Sequence, residues 1–505
     1  MGLSRKTQIA IAAEAIEGVA ATITSANLVP VMADPAPSFT PNNELLRRNL
    51  ATGSLSPTQG RNTFRSGTIS FTMELAGPAD GLPATVGAYA LALEACGLAR
   101  RGVTVIGGAT MTTSNGMIPP GATYLQTTAT GRSFQRHFDG DSYLFVDEDT
   151  YTPAAAAGDV ALVFTAGAST TTTTPSSGTY TFGWGFEPAS TKVSGMNCTV
   201  ITGGSQALAV NDIIVGDTSG ARARVTEAID NADLPATIKY ELFAQSGNFV
   251  AETFTATGTV GGATGGTLTG TENQYDIKSC TIEGRFDGVL VKIKGARGNV
   301  VFRGEAGGQM FLDFEFTGIG VQPSDGALFA NPTAPALPAI LVNTVLSLET
   351  DATGDIGTTL TPKWSSFSFD LGNSVELPVC PDAVAGYGPA AEITGREPSA
   401  SLDPQATREA IYPFLNQDWD KSDYRLTLQT GTYVPATPTG NAFRIELPFV
   451  QTVSATPGNR LGINTYDLTM APAVAEIANA TATGAGNLLA QHGTLTDEEF
   501  KLIAY

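Results

Sequence analysis

From Lys278 to Thr317 the chain reads KSCTIEGRFDGVLVKIKGARGNVVFRGEAGGQMFLDFEFT, a pattern written for antiparallel sheet. Cys280, Ile282, Gly284 and Phe286 alternate with Ser279, Thr281, Glu283 and Arg285. A period of two sends such sets to opposite faces of a strand. Asp287-Gly288 is a two-residue hairpin signal, because both types tolerate the positive φ of a type I′ turn. Val289, Val291 and Ile293 then alternate with Leu290, Lys292 and Lys294, and Gly295-Ala296-Arg297-Gly298 is expected to turn the chain. Val300 and Phe302 oppose Val301 and Arg303, and Ala306-Gly307-Gly308 makes the next turn. Met310, Leu312, Phe314 and Phe316 alternate with Phe311, Asp313, Glu315 and Thr317. The reading is a four-strand meander with one apolar and one mostly polar face, and it carries no catalytic motif.

The rest of the chain extends this β character. Its 505 residues leave room for two to four domains. The 56 Gly and 29 Pro, with only 15% charged residues, punctuate it too often for long helices. A net charge of −20 opposes a tight grip on nucleic-acid backbone, which carries the same sign, yet allows DNA to be surrounded. Cys96, Cys198, Cys280 and Cys380 are far apart, which suits buried free thiols rather than a zinc site or disulfide framework. Arg5-Lys6 precedes an apolar run, but Glu14 and Glu17 interrupt it, so no secretion signal is expected. No stretch is apolar enough to form a membrane-spanning helix.

Residues 1–62 open with a strand or short helix and then turn loop-like around Pro30, Pro35, Pro37, Pro41 and Pro57, giving a long N-terminal arm at 30–62. Gly67 to Leu75 alternates as a strand, and Val86, Tyr89, Leu93 and Cys96 fall at helical spacing before Gly97, a helix C-cap residue. A similar strand and helix recur at Ser399–Pro404 and Ala406–Leu415, followed by strands at Arg425–Thr430, Phe443–Phe449 and Ile463–Met470, with Pro457-Gly458-Asn459-Arg460 as the last turn. This order suggests a degenerate duplication. Between the first helix and the meander, which together make a split first half, lies an insert, 141–274, with 14 acidic and 4 basic residues. That density of like charge suits a solvated, outward-facing module. Within the insert, Tyr180, Phe182, Trp184 and Phe186 alternate as one strand face. Thr496 and Glu499 form a capping box, so a short terminal helix is expected.

Enzyme chemistry is not expected, and no catalytic, cofactor-binding or metal-binding residue is assigned. His137 and His492 stand alone, and no Gly-x-Ser-x-Gly or phosphate-loop motif occurs. The Gly-rich tract from Gly258 to Gly270 reads as turn material. Asp139, Asp141, Asp147, Glu148 and Asp149 raise a calcium question, but an apolar run splits them and a solvated acidic rim serves as well. Arg47, Arg48, Arg61 and Arg65 are the one basic concentration, and they are the candidate inter-subunit arm.

The chain resembles the tail tube proteins (major tail proteins) of long-tailed bacteriophages, in the form with two tube domains in one polypeptide. The likeness rests on Gly2–Gln8, Pro37–Pro41, Gly67–Gly77 with Ala95–Leu98, Phe286–Gly318, and Ser366–Asn373 with Ile393–Arg396 and Gly458–Leu468. Each motif is weak alone, and their order is the specific part. The resemblance implies a mainly β fold: two tandem tube-type β-sandwich or half-barrel domains, each with a flanking helix, plus an inserted small β module. The boundaries are 1–140 and 275–335 for the first tube domain, 141–274 for the insert, 336–476 for the second, and 477–505 for a C-terminal extension. It implies three chains per pseudo-sixfold ring, and rings stacked into an acidic-lined conduit for genome ejection. Partners would be further copies, the tape measure, terminator and distal tail proteins at the tube ends, and DNA passing without specific binding. No cofactor and no membrane partner is implied. Assembly in the host bacterial cytoplasm into the virion tail is implied. A receptor- or glycan-binding surface protein is the alternative, and a polysaccharide hydrolase the third reading.

Overall fold

A computed structural model describes residues 6–46, 61–76, 88–106, 123–126, 160–163, 179–189, 192–203, 206–243, 248–257, 261–330, 337–338, 340–342, 344–352, 355–381, 386–406, 408, 412, 414–415, 423–430, 443–472 and 499–504. The fold is mainly β. Seventeen strands join one branched antiparallel sheet, numbered here in chain order. They are β1 (Thr7–Ala13), β2 (Leu28–Val29), β3 (Ser38–Leu46) and β4 (Arg61–Glu74), then β5 (Leu98–Ile106) and β6 (Thr179–Pro188). Next come β7 (Cys280–Phe286), β8 (Gly288–Glu305) and β9 (Met310–Gly326). The remainder are β10 (Val345–Ala352), β11 (Asp355–Leu360), β12 (Trp364–Asp370), β13 (Ser399–Pro404), β14 (Asp423–Thr430), β15 (Phe443–Arg460), β16 (Ile463–Pro472) and β17 (Lys501–Ala504). Helix α1 (Ala90–Ala95) follows β4, and Gly97 ends it at φ +80°.

The same six antiparallel ladders occur twice. In the first half β1 pairs with β2 and β7, β7 with β8, β8 with β9, β9 with β4, and β4 with β3. In the second half β10 pairs with β11 and β14, β14 with β15, β15 with β16, β16 with β13, and β13 with β12. β10 is thus the counterpart of β1, β12 of β3, β13 of β4, β15 of β8, and β16 of β9. Residues 414–415, after β13, are helical where α1 follows β4; most of the rest of Ala406–Leu415 lies outside the described residues.

One core runs through both halves. Ile9, Ile69, Phe71, Phe302, Phe314 and Phe316 from the first meet Phe367, Phe369, Leu402, Leu426, Ile445 and Leu468 from the second. Burying each such side chain contributes roughly 1.5–3 kcal/mol. Alternation places these residues inward and their polar neighbours outward.

Four expectations are corrected. The meander has three strands, because Gly295–Gly298 is a bulge inside β8. Between Lys294 and Arg297 the register advances three residues while β9 advances two, Ile319 to Thr317. Gly295 holds φ +56° there, and Arg297 turns inward to 1% exposure. Its guanidinium donates to the carbonyls of Ile277 and Ala391, which consumes the residues a surface turn would have freed. Second, the loop-like arm contains a strand: within 30–62, Ser38–Leu46 form β3 and pair with β4 from Ser38↔Ser70 to Leu46↔Arg61, while 47–60 lie outside the described residues. Pro41 is tolerated because β3, among the described residues, pairs on one side alone. Third, Pro457–Arg460 continue β15, and the turn is Leu461-Gly462, both at positive φ. Fourth, Lys501–Ala504 form β17, not a helix, since β15 and β6 offer ladders on both sides of it.

The insert builds a closed six-stranded barrel. Its strands are Val193–Gly203, Ile213–Gly216, Arg222–Val225, Ala236–Leu242, Thr253–Ala256 and Ala263–Asp276. Met196, Ile214, Val225, Ile238, Tyr240, Phe254 and Leu268 make a core of its own. Its ends pair as a stem, Ser194↔Gln274 and Gly195↔Asn273. Gly265 and Gly266 are strand residues rather than turn material, and a Cβ at Gly265 would meet the Phe254 carbonyl at 2.5 Å. β6, expected inside the insert, instead pairs with β5 and β17 of the main sheet.

Candidate functional site

Eight strands form a continuous path, β3–β4–β9–β8–β12–β13–β16–β15, four from each half. The step between halves is β8–β12, with Val301↔Asp370, Phe302↔Phe369, Arg303↔Ser368, Gly304↔Phe367 and Glu305↔Ser366 in register. Asn299 and Asn373 lock this step. Asn299 Nδ2 donates to Asp370 at 2.7 Å, and the Asn373 amide donates to Asn299 Oδ1 at 3.0 Å. Asn373 Nδ2 reaches the carbonyls of Cys96 and Gly298.

One side of this path is core. The other carries mostly short hydroxyls and carboxylates, with Asn299, Val301 and Phe311 between them: Thr68, Ser70, Thr72, Asp313, Glu315 and Thr317 in the first half, Ser366, Ser368, Asp370, Ser401, Asp403, Asp467 and Thr469 in the second. Two arginines on this side are paired within it. Arg303 forks onto Asp313, which also accepts from Thr72 Oγ1 at 2.5 Å. Arg460 Nη1 lies 2.7 Å from Asp403 Oδ2. Burial pushes the Asp403 carboxyl up, but hydrogen bonds from Ser365 and Ser366 and the Arg460 charge outweigh it, so its pKa lies below the usual carboxylate value. An open trough of about 580 Å³ between Ser38, Thr72, Asp313, Glu315 and Asp370 deepens this acidic face.

Among the described residues the two ends of the path have no neighbouring strand. β8 uses one edge for β7 over Val289–Ala296 and for β12 over Val301–Glu305. Its counterpart β15 uses the same edge for β14 up to Gln451, and Ser454–Arg460 have no strand on that edge among the described residues. β12 is flanked on both sides, by β13 and β8, whereas its counterpart β3 has only β4 among the described residues. The step that joins the halves therefore leaves two matching unused edges, one at each end.

Beyond the sheet, β3 and β4 continue as a two-stranded ribbon: Asn43↔Arg65 and Leu46↔Arg61 lie past Ser66, where β9 stops pairing. Arg61 and Arg65 stand on this ribbon and Arg65 is exposed. Arg47 and Arg48 lie outside the described residues, as do His137, His492, Asp139, Asp141, Asp147, Glu148 and Asp149. Among the described residues no three His, Cys, Asp or Glu side chains gather in a metal-holding group, and no helix is long and apolar enough to cross a membrane. None of the four cysteines is in a disulfide; Cys96, Cys198 and Cys280 are buried, and burial pushes the Cys96 and Cys280 thiols well up.

Sequence reasoning did not reach the open edges or the Asn299–Asn373 lock. Pairing across the halves spans some 70 residues of chain and leaves no local periodicity, although the Ser366–Asn373 motif did single out half of it. The chain matches no protein-family model and no curated protein.

Proposed function

We propose that the chain is a structural subunit of a long-tailed phage tail tube, in the two-domain form, which assembles in the host cytoplasm and ends in the virion. The observation that carries this reading is the β8–β12 step with its unused counterparts. A second copy can lay the outer edge of its β3 along Ser454–Arg460 of β15 and so repeat between chains the step that joins the halves within one. An exposed strand edge is a template for pairing, and closing the sheet removes it. Pro41 and Pro457 remove a donor from each edge, which limits the joint to a short run, as the internal joint of five pairs is.

The contact is head-to-tail, so it generates a ring if the rotation closes. With three copies, eight strands each give 24. At about 4.8 Å between strands and about 40° tilt, such a wall has a diameter on the order of 50 Å. The hydroxyl- and carboxylate-lined face then forms the lumen. Its surplus of carboxylates repels a polyanion, so DNA passes without being held. The arginine-bearing ribbon extends past the sheet towards the next ring. The inserted barrel, with its own core, sits on the outside, and tape measure, terminator and distal tail proteins meet the tube ends.

Negative-stain microscopy of the purified chain tests this. Rings or hollow tubes are expected; a persistent monomer that binds cells or sugars would instead favour a surface adhesin.

A further inference from the structure

The ladders set the two halves against each other residue for residue. β4 meets β9 at Ile69↔Phe316 and Phe71↔Phe314, and β13 meets β16 at Ala400↔Met470 and Leu402↔Leu468, all of them buried. On that alignment Phe39, opposite Ile69, falls on Phe369, opposite Ala400, and Ser38 falls on Ser368. Asn43↔Arg65 likewise falls on Asn373↔Arg396, and both ladders turn irregular within two residues of that pair. Val300 and Phe302 of β8 face Phe314 and Leu312, as Ala455 and Pro457 of β15 face Leu468 and Tyr466. Phe302↔Phe369, the centre of the step between halves, therefore corresponds to Pro457 and Phe39, which stand at opposite ends of the path.

Both residues suit a joint. The Phe39 ring lies over Gly67, where a Cβ would meet its Cε2 at 2.6 Å; Phe39 is half-buried and Pro457 is exposed. Alternate residues of a strand turn their N–H and C=O groups to the same edge. Leu371 N donates to Val300 O at 3.1 Å, so Val300, Phe302, Phe369 and Leu371 face one another across the step. Pro41 and Pro457 sit in ladders with Gly67 and Tyr466, and a proline keeps such a place when its missing donor is on the other edge. Phe39 and Pro457 thus turn their backbone groups to the two unused edges, as Phe302 and Phe369 do to each other.

We propose that one copy joins the next in a single register, Pro457 opposite Phe39, with Thr456 opposite Thr40 and Gly458 opposite Ser38; this rests on the head-to-tail reading above. Phe39 N–H donates to the Pro457 carbonyl. Ala455 faces Pro41 and Asn459 faces Pro37, so each proline of the joint meets a residue that donates to it. The Phe39 ring packs on Pro457 where Phe369 packs on Phe302, and the core runs on from copy to copy. A slip of one residue would turn the opposite face of β15 to Phe39, and a slip of two would set its ring beside Ala455 or Asn459. Asn299 and Asp370, whose side chains lock the internal step, fall on Ser454 and Thr40. Two hydroxyls make a weaker lock than one with a carboxylate, so copies part more readily than the halves.

Paired cysteines in the full chain test the register, with Cys380→Ser to remove the cysteine that is not buried. Thr456→Cys is combined in turn with Ser38→Cys, Thr40→Cys and Asn42→Cys, all at exposed positions. Assembly is checked by microscopy and the particles are mildly oxidised. Directly opposite residues of a non-hydrogen-bonded pair have Cα atoms about 4.5 Å apart and diagonal ones about 7–8 Å, while a disulfide needs roughly 4.4–6.8 Å. The register predicts an interchain disulfide with Thr40→Cys, about tenfold above the other two pairs on a non-reducing gel. Rings cross-linked through Ser38→Cys or Asn42→Cys instead, or through none of the three, overturn the register and leave the ring reading standing. A wild-type chain that makes no rings overturns both. Pro457→Asp is the second variant: the register predicts about tenfold more protein needed to form rings, with an unchanged monomer melting temperature. Unaltered assembly contradicts it.

Discussion

The ring of Phe302 in the first half lies against that of Phe369 in the second, centroids 5.9 Å apart, and Phe500 stacks on Phe369 at 4.5 Å. Both rings sit on the β8–β12 step, so the joint between halves is core rather than surface contact. Phe369→Ala removes this packing and is expected to cost about 3–5 kcal/mol. Urea unfolding followed by fluorescence and by circular dichroism checks it. One shared transition moved to lower urea is expected; a second half that unfolds separately while the first keeps its midpoint contradicts a common core.

Glu14 is 2% exposed and its carboxylate accepts from Gly18 N, Ser279 Oγ, Thr281 Oγ1 and Gly295 N. It ties β1, β7 and the β8 bulge to one point. Glu14→Ala strands four donors, and each unmade buried hydrogen bond costs about 1–3 kcal/mol. Hydrogen exchange should quicken across β1 and β7 while the inserted barrel stays protected. Equal loss of protection in the barrel would show that Glu14 is not a local tie.

Acid should weaken the fold through Glu17 and Asp403. Burial raises the Glu17 carboxyl, but the charges of Arg297, 2.6 Å away, and Lys192 outweigh this, so its pKa is lowered; that of Asp403 is lowered likewise. A lowered folded pKa gives stability that is present above the unfolded value, near 4, and is lost as pH falls through the folded one. The melting temperature of wild type should therefore drop below about pH 4, and more steeply than that of Glu17→Gln. Parallel curves for the two proteins would contradict this.

The barrel of Val193–Asp276 hangs on its stem and owns its core. Replacing residues 196–272 by Asn-Gly, a two-residue hairpin turn between Gly195 and Asn273, should leave the main sheet folded and assembly intact. Electron microscopy should then show thinner particles of unchanged lumen. Aggregation, or loss of rings, would place the barrel in the assembly contact instead.

Glu315 and Asp467 are exposed on the polar face. Exchanging both for Lys should change stability by no more than about 0.5 kcal/mol. It should make assembled particles retain DNA in a salt-dependent way. Unchanged, negligible retention would argue that this face does not line the passage.

The strands of this fold were legible where alternation was local. β4, β7, β9, β13 and β16 follow from it, and so does the Asp287-Gly288 turn, whose φ values of +44° and +110° are both positive. What failed shares a cause. Gly295–Gly298 and Pro457–Arg460 have turn composition, yet continuous partners on β9 and β16 hold both runs in strand. The capping box at Thr496–Glu499 is a four-residue signal, too weak against two flanking strands that offer ladders to Lys501–Ala504. The duplication was legible in unit order. The edges that give it consequence were not, because an unused edge is defined by what pairs elsewhere.

Cryo-electron microscopy of the assembled chain tests the central claim most directly, by tracing which strands meet between copies. The account predicts antiparallel density of β3 from one copy running beside Ser454–Arg460 of β15 from the next, so that the eight-strand paths join in a closed wall. Copies held together by other surfaces, with both edges left in solvent, would contradict it.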